Sequence, residues 1–187
     1  TERVENALSA RGYNIAREDV DIDDALSVRV RIDRDIVTLS LDTSGASLHK
    51  RGHKEAVNKA PMRETMAAMF LRDAGFNGKE PLYDPMCGSG TFVIEGAEIA
   101  RRLDSGRARP FAFQSLPSFD QSAFSQMLSP ARDAAFPVFG SDRDQGAITM
   151  SRANAERAGV ADIASFETKS ISEITPPSDP VGLVIAN

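Results

Sequence analysis

Cysteine is nearly absent: Cys87 is the only one in 187 residues. One thiol cannot build an internal disulfide framework, and with two histidines there is no Cys/His cluster of zinc-ligand spacing, so no metal is expected. No apolar run is long enough to span a bilayer. The charged start Thr1-Glu2-Arg3, with no apolar core behind it, lacks the pattern of a signal peptide. The reducing cytoplasm is the simplest home, and no membrane partner is expected. An excess of positive charge is also missing. The 22 Lys and Arg against 27 Asp and Glu leave a net charge of −5, which weighs against nucleic acid as a partner of the whole surface. Internal repeats are lacking too. The 41% hydrophobic content and mean hydropathy of −0.27 fit a soluble globular chain, long enough for one domain or one domain with a small lobe.

The elements that are present fall into two styles. Residues 4–11 read as a helix. Ser27 to Ile32 alternates apolar and charged residues, Asp33-Arg34-Asp35 is a turn, and Ile36 to Asp42 alternates again with Val37, Leu39 and Leu41 on one face. This predicts a half-buried hairpin in a small α+β lobe. Met62, Met66, Met69 and Phe70 have helical spacing up to Ala74, with Gly75 as the stop. Such a methionine stripe is expected to be a core face before a ligand box. Strand and helix then alternate: Leu82-Tyr83, a helix over 91–103, strand 137–140, a helix over 144–157 ended by Gly159, strand 163–167 and strand 181–186. That order predicts an α/β class with a parallel sheet and helices on both faces. Ligands of such sheets bind beyond the carboxyl ends of the strands, where Asp84, Asp142 and Asn187 all fall. The stretch 105–136 is too long for a plain connection. Its Phe111, Phe113, Phe119 and Phe124 predict an ordered insertion, one that covers the sheet before one that touches substrate. The chain starts without Met and stops straight after an apolar strand, and so reads as a fragment truncated at both ends.

Chemistry concentrates in Tyr83-Asp84-Pro85-Met86-Cys87-Gly88-Ser89-Gly90-Thr91, a glycine turn between a strand and a helix. Glycines let a backbone approach a ligand closely, and the helix N-terminus adds free N–H groups. No Lys follows Gly90, so this is not a Walker loop, and position 93 is Val, so the dinucleotide spacing fails. An acid, tight glycines and a helix start suit an adenosine-bearing ligand without strong negative charge, and point to S-adenosylmethionine before ATP or NAD. Asp142, at the end of the second strand, is placed to accept two ribose hydroxyls. Asp144 is the better helix cap. Asp84 suits the methionine ammonium or the turn itself. Cys87 is expected to pack under the loop, and Ser89 lies in the wrong frame for a hydrolase nucleophile. Lys50, Arg51, Lys54, Lys59 and Arg63 form a local basic strip against Glu55 alone, compatible with phosphate contacts or with a solvated face.

Asp84 to Phe92, D-P-M-C-G-S-G-T-F, resembles motif I of RNA methyltransferases that carry a THUMP RNA-binding domain before a Rossmann-like catalytic domain. It is most similar to the bacterial enzymes that methylate the exocyclic amine of guanine in large-subunit ribosomal RNA. Ser44 to Gly52 resembles their joining segment, Ala60 to Ala68 the helix before motif I, Val138 to Asp142 motif II, and Val181 to Asn187 the strand into motif IV. The resemblance implies a THUMP-like region and linker over 1–55 and a partial Rossmann-like methyltransferase domain over 56–187. S-adenosylmethionine would be held by Asp84, Pro85, Met86, Gly88, Gly90, Thr91 and Asp142. Where relatives of the fold often place an acid against the adenine amine, this chain offers Ser170. Asn187 would be the catalytic residue, orienting the target amine. The Pro-Pro-aromatic that would follow it, and stack on an extruded base, lies outside the sequence, so the fragment is expected to be inactive alone. RNA, and by the resemblance ribosomal RNA, is the expected partner. Adenine methylation in DNA and a non-catalytic RNA-binding module are the rival readings.

Overall fold

The computed structural model describes residues 2–12, 26–53, 62–175 and 180–187. The chain divides into two compact units: residues up to Gly45 together with Phe111–Phe119, and Ala46–Pro110 together with Asp120–Asn187.

The first unit holds helix α1 (Glu2–Ser9) and strands β1 (Val28–Asp33) and β2 (Ile36–Leu41), paired antiparallel. The turn between the strands places Arg34 and Asp35 at φ of 48° and 62°, the left-handed pair that a two-residue hairpin needs. Cross-strand register sets Val28 opposite Leu41, Val30 opposite Leu39 and Ile32 opposite Val37, so one face is wholly aliphatic. The expected half-burial is not found. These six side chains are 44–73% exposed, because two strands alone have no second layer among the described residues. Phe111 stacks on Phe113 with centroids 5.4 Å apart, and Phe113 meets Phe119 at 5.7 Å. The Phe113 N–H donates to Thr43 O at 3.0 Å. This part of the insertion is ordered, as expected, and groups with the hairpin in the first unit, not with the sheet unit.

The second unit is built on a four-stranded parallel sheet. Its strands are β3 (Leu82–Asp84), β4 (Val138–Asp142), β5 (Ala164–Thr168) and β6 (Leu183–Val184), in the order β5-β4-β3-β6. Helices are α2 (Glu64–Asp73), α3 (Thr91–Arg101), α4 (Gln121–Met127) and α5 (Gln145–Arg157). Leu82, Val138 and Ala164 lie in one register row, and Asp84, Gly140 and Phe166 in another of the same face. That face is buried against α3 and α5, with α2 packed on α3. Val93, Ile94, Ala97, Ile148, Ala155 and Val160 complete the core. Tyr83, Phe139, Ser165 and Val184 point to the other face and are half-buried or exposed. The alternation predicts helices on both faces, and the described helices cover one. No helix among the described residues is long and apolar enough to cross a membrane.

Candidate functional site

Strand order reverses on either side of β3, and at this switch point the loop 85–90 leaves β3 for α3. The loop is pinned from two directions. On the sheet side, Cys87 N–H donates to Ser141 O at 2.9 Å, Ser141 Oγ donates to Pro85 O at 3.3 Å, and Ser141 Oγ and Tyr83 OH share a hydrogen bond of 2.7 Å. On the helix side, Ser151 Oγ donates to Gly88 O at 2.7 Å and Asn154 Nδ2 donates to Ser89 O at 3.1 Å. Gly88 has a φ of +53° and a Cβ built on it would meet nothing within 4 Å. The backbone therefore presents a bare, open surface there, as a close-lying ligand requires.

Asp142, at the end of β4, spans the gap between loop and helix. Its Oδ2 accepts the Gly88 N–H and its Oδ1 the Asp144 N–H, both at 3.0 Å. A carboxylate has about four lone-pair directions, so two remain for further donors. Asp144 caps α5 by accepting from Gly146 N–H at 2.7 Å, which leaves Asp142 clear of that task, as the sequence suggested. Asp84 is 3% exposed, and its Oδ1 accepts the Met86 N–H at 3.0 Å, so it shapes the turn. Burial, aided by the charge of Asp142 and opposed by the Met86 hydrogen bond, raises its pKa to about 7. A cation arriving beside it would reverse that shift. Burial and the two aspartates push the Cys87 thiol up to about 12, far from the thiolate that a nucleophile needs.

The remaining expected residues lie as follows. Pro85 is buried, Met86 exposed, and Gly90 and Thr91 are buried where α3 begins. Ser170 follows β5 at the carboxyl edge, but its hydroxyl already meets Ser172 Oγ and Glu173 Oε2 at 2.9 Å each. Asn187 is exposed, two residues past Ile185, whose N–H donates to Tyr83 O at 3.0 Å beside β3. Asp84, Asp142 and Asn187 thus share one sheet edge.

The basic strip is not a continuous surface. Lys50 and Arg63 are exposed, and Lys54 and Lys59 lie outside the described residues. Arg51 is buried, its guanidinium forked onto Glu95 of α3 at 3.1 and 3.2 Å. Next to it, buried His53 lies 4.0 Å from Glu98, which Arg107 binds at 2.7 Å. Burial, Glu98 and Glu64 push Glu95 up to about 7 while Arg51 pulls it down, and burial lowers the pKa of His53. Glu98 Oε2 is buried without a partner among the described residues. A small cavity lined by His53, Glu64, Ser89, Thr91, Ile94 and Glu95 lies beside the glycine loop. No cluster among the described residues could hold a metal ion.

Sequence reading missed Ser151, Asn154, Glu95 and Glu98. A signal existed. Ala147, Ile148, Ser151, Asn154 and Ala155 are the buried stripe of α5, and two of the five are polar. Likewise, two glutamates interrupt the apolar α3. A polar residue at a core position must have a partner, and here the partners are the loop carbonyls and Arg51 or Arg107.

An open parallel sheet that reverses beside β3, with a glycine turn there and carboxylates ending β3 and β4, defines a Rossmann-like domain of the methyltransferase class. The chain belongs to the RMKL-like methyltransferase domain family, which residues 51–187 match. It is 34% identical over 186 residues to the ribosomal RNA large subunit methyltransferase K/L of Vibrio campbellii, covering 93% of this chain and 26% of that one. A predicted N6-adenine-specific DNA methylase of Listeria monocytogenes superposes with a TM-score of 0.80 at 31% identity, over 99% of this chain and 48% of that one. SMU.472, provisionally a methyltransferase and crystallised with SAH, gives 0.74 at 28% identity, over 87% and 43%. The chain spans less than half the length of each of these three.

Proposed function

We propose that this chain is part of an S-adenosylmethionine-dependent RNA methyltransferase that modifies the exocyclic amine of guanine in large-subunit ribosomal RNA. The observation that carries the reading is Asp142, which bridges the glycine loop and α5 with lone pairs to spare. It would accept the ribose hydroxyls, as a carboxylate selects a vicinal diol. The open backbone at Gly88 would lie along the methionine portion, and Asp84 would take the ammonium. Pro85, Met86, Gly90 and Thr91 would line the same place, and Ser170 would meet the adenine by turning from Glu173. The SAH in SMU.472 supports this cofactor. The name of the Vibrio relative supports a ribosomal RNA substrate, and with it a cytoplasmic place. Residues 1–55 would then be the end of a THUMP-like region and its linker, and 56–187 the partial catalytic domain.

Asn187 would accept hydrogen bonds from the target amine. A conjugated amine is planar and a poor nucleophile, and an acceptor that holds its N–H groups acts most strongly as the nitrogen becomes cationic. In the full-length protein, Asn187→Ala should keep SAH affinity and lower single-turnover methyl transfer by about 10²–10³. Transfer at the parental rate would remove Asn187 from catalysis. The name of the Listeria neighbour favours a second reading, adenine in DNA. Offering unmodified ribosomal RNA and duplex DNA side by side, with nucleoside mass spectrometry of the product, separates the two.

A further inference from the structure

The glycine loop is shaped by which way its peptide planes face, and α5 decides that for two successive planes. Ser151 Oγ lies 2.7 Å from the C=O of Gly88 and 3.0 Å from that of Ala147, so its one proton is shared in favour of the nearer, the loop carbonyl. In a trans peptide the N–H points opposite to the C=O, so the N–H of Ser89 faces away from α5. The next carbonyl, of Ser89, is held by Asn154 Nδ2 at 3.1 Å. Both side chains are 0% exposed. Neither can be replaced by water without opening the core.

The amide of Asn154 is itself oriented. Its Oδ1 accepts from Arg157 Nη2, which leaves only the NH₂ group for the loop. Arg157 in turn donates from Nε to the carbonyl of His53 at 2.8 Å. A single chain of hydrogen bonds therefore runs from segment 46–53, through the last turn of α5, to the glycine loop. The segment is fastened at two more points, by Arg51 on Glu95 and by Arg109 Nη1 on the carbonyl of Ala46 at 2.7 Å.

We propose that Ser151 and Asn154 are positioning residues that hold the glycine loop in its cofactor-binding conformation, with Arg157 setting the Asn154 amide. They touch no reacting atom. Their work is to keep the Ser89 N–H and the bare side of Gly88 turned to the methionine portion of the cofactor. The adenosine portion, anchored by Asp142, relies on the peptide plane before these two, since Asp142 Oδ2 accepts the Gly88 N–H at 3.0 Å. The inference rests on the reading that this loop binds S-adenosylmethionine.

The test compares two ligands by calorimetry on the full-length protein: SAH, and adenosine, which lacks the amino-acid portion. Ser151→Ala and Asn154→Asp should each weaken SAH by about tenfold or more, the effect of one lost buried hydrogen bond or one opposed carbonyl. Adenosine affinity should stay within about twofold of the parent, a split that general loosening of the fold would not produce. Arg157→Gln, at an exposed position that leaves both buried groups in place, should weaken SAH less and in the same selective way. It carries the test if the buried variants do not fold. Equal SAH binding by parent and variants, or parallel loss of SAH and adenosine, would overturn the positioning role. A parent that binds no SAH would instead overturn the cofactor reading beneath it.

Discussion

At the scale of single residues, charge in this chain means different things according to burial. Arg51 sits in a cationic stretch, yet its guanidinium is spent on Glu95 inside the fold. Removing one partner of a buried ion pair strands the other, which typically costs about 3–5 kcal/mol. Arg51→Ala should therefore lower the denaturation midpoint strongly and leave the salt dependence of RNA binding unchanged. Lys50→Ala and Arg63→Ala should do the reverse, each flattening that dependence by about 0.7 per lost phosphate contact. Asp84 gives a pH signature. Its folded pKa of about 7 stands above the ordinary carboxyl value of 3.8, so between these values the folded chain keeps a proton that the unfolded chain has lost. The stability it contributes is present on the acid side and falls as pH rises through about 7. Cofactor binding should run the other way, because an ammonium needs the ionised carboxylate. SAH affinity should rise by about tenfold from pH 6 to pH 8, and Asp84→Asn should flatten that rise and weaken binding at pH 8. A flat profile in the parent would leave Asp84 as a turn former only.

At the scale of elements, the glycines divide by what faces them. Gly75 and Gly78 both have positive φ, of 83° and 79°, in the connection after α2. A Cβ on Gly75 would meet nothing, whereas on Gly78 it would lie 2.4 Å from Ala100 Cα, at the end of α3. Gly75→Ala should cost about 1–2 kcal/mol of backbone strain. Gly78→Ala should cost about 1–3 kcal/mol more, since the atom in its way is backbone and cannot turn aside. Chemical denaturation of the two variants reads the difference. Much at this scale was legible in the residue order. The Gly75 stop, the Asp144 cap and strands β3, β4 and β5 all lie within a residue or two of where periodicity put them, because each has a local cause. The parts that were not legible have non-local causes. Whether Val30 and Leu39 are buried depends on a second layer, not on their own alternation. Which acid pairs with Arg51 is decided 44 residues away, and Ser151 and Asn154 look like ordinary helix residues until the loop they hold is folded beside them. Phe111, Phe113 and Phe119 signalled order without saying which unit they would join.

At the scale of the whole molecule, the two units differ in how far each accounts for its own apolar surface. The sheet unit buries a continuous core, while the hairpin has one aliphatic face that no other described residue covers. Such a face changes behaviour in solution before it changes anything in the fold. Two chains meeting there would hide six aliphatic side chains at once, and strand edges unpaired among the described residues would add backbone hydrogen bonds to the encounter. Dilute preparations should therefore scatter light as monomers, and concentrated ones should show attraction, with a negative second virial coefficient that warming deepens and a hydrophobic dye bound without loss of structure. Placing charges of opposite sign on the cross-strand pair, Val30→Glu with Leu39→Lys, should turn the coefficient positive and release the dye while the thermal midpoint of the sheet unit stays put. If attraction survived that change, its source would lie elsewhere, with the uncovered side of the sheet around Phe139 and Val184 as the next surface to charge. Crowding at the hairpin should then be what sets the usable concentration of the chain.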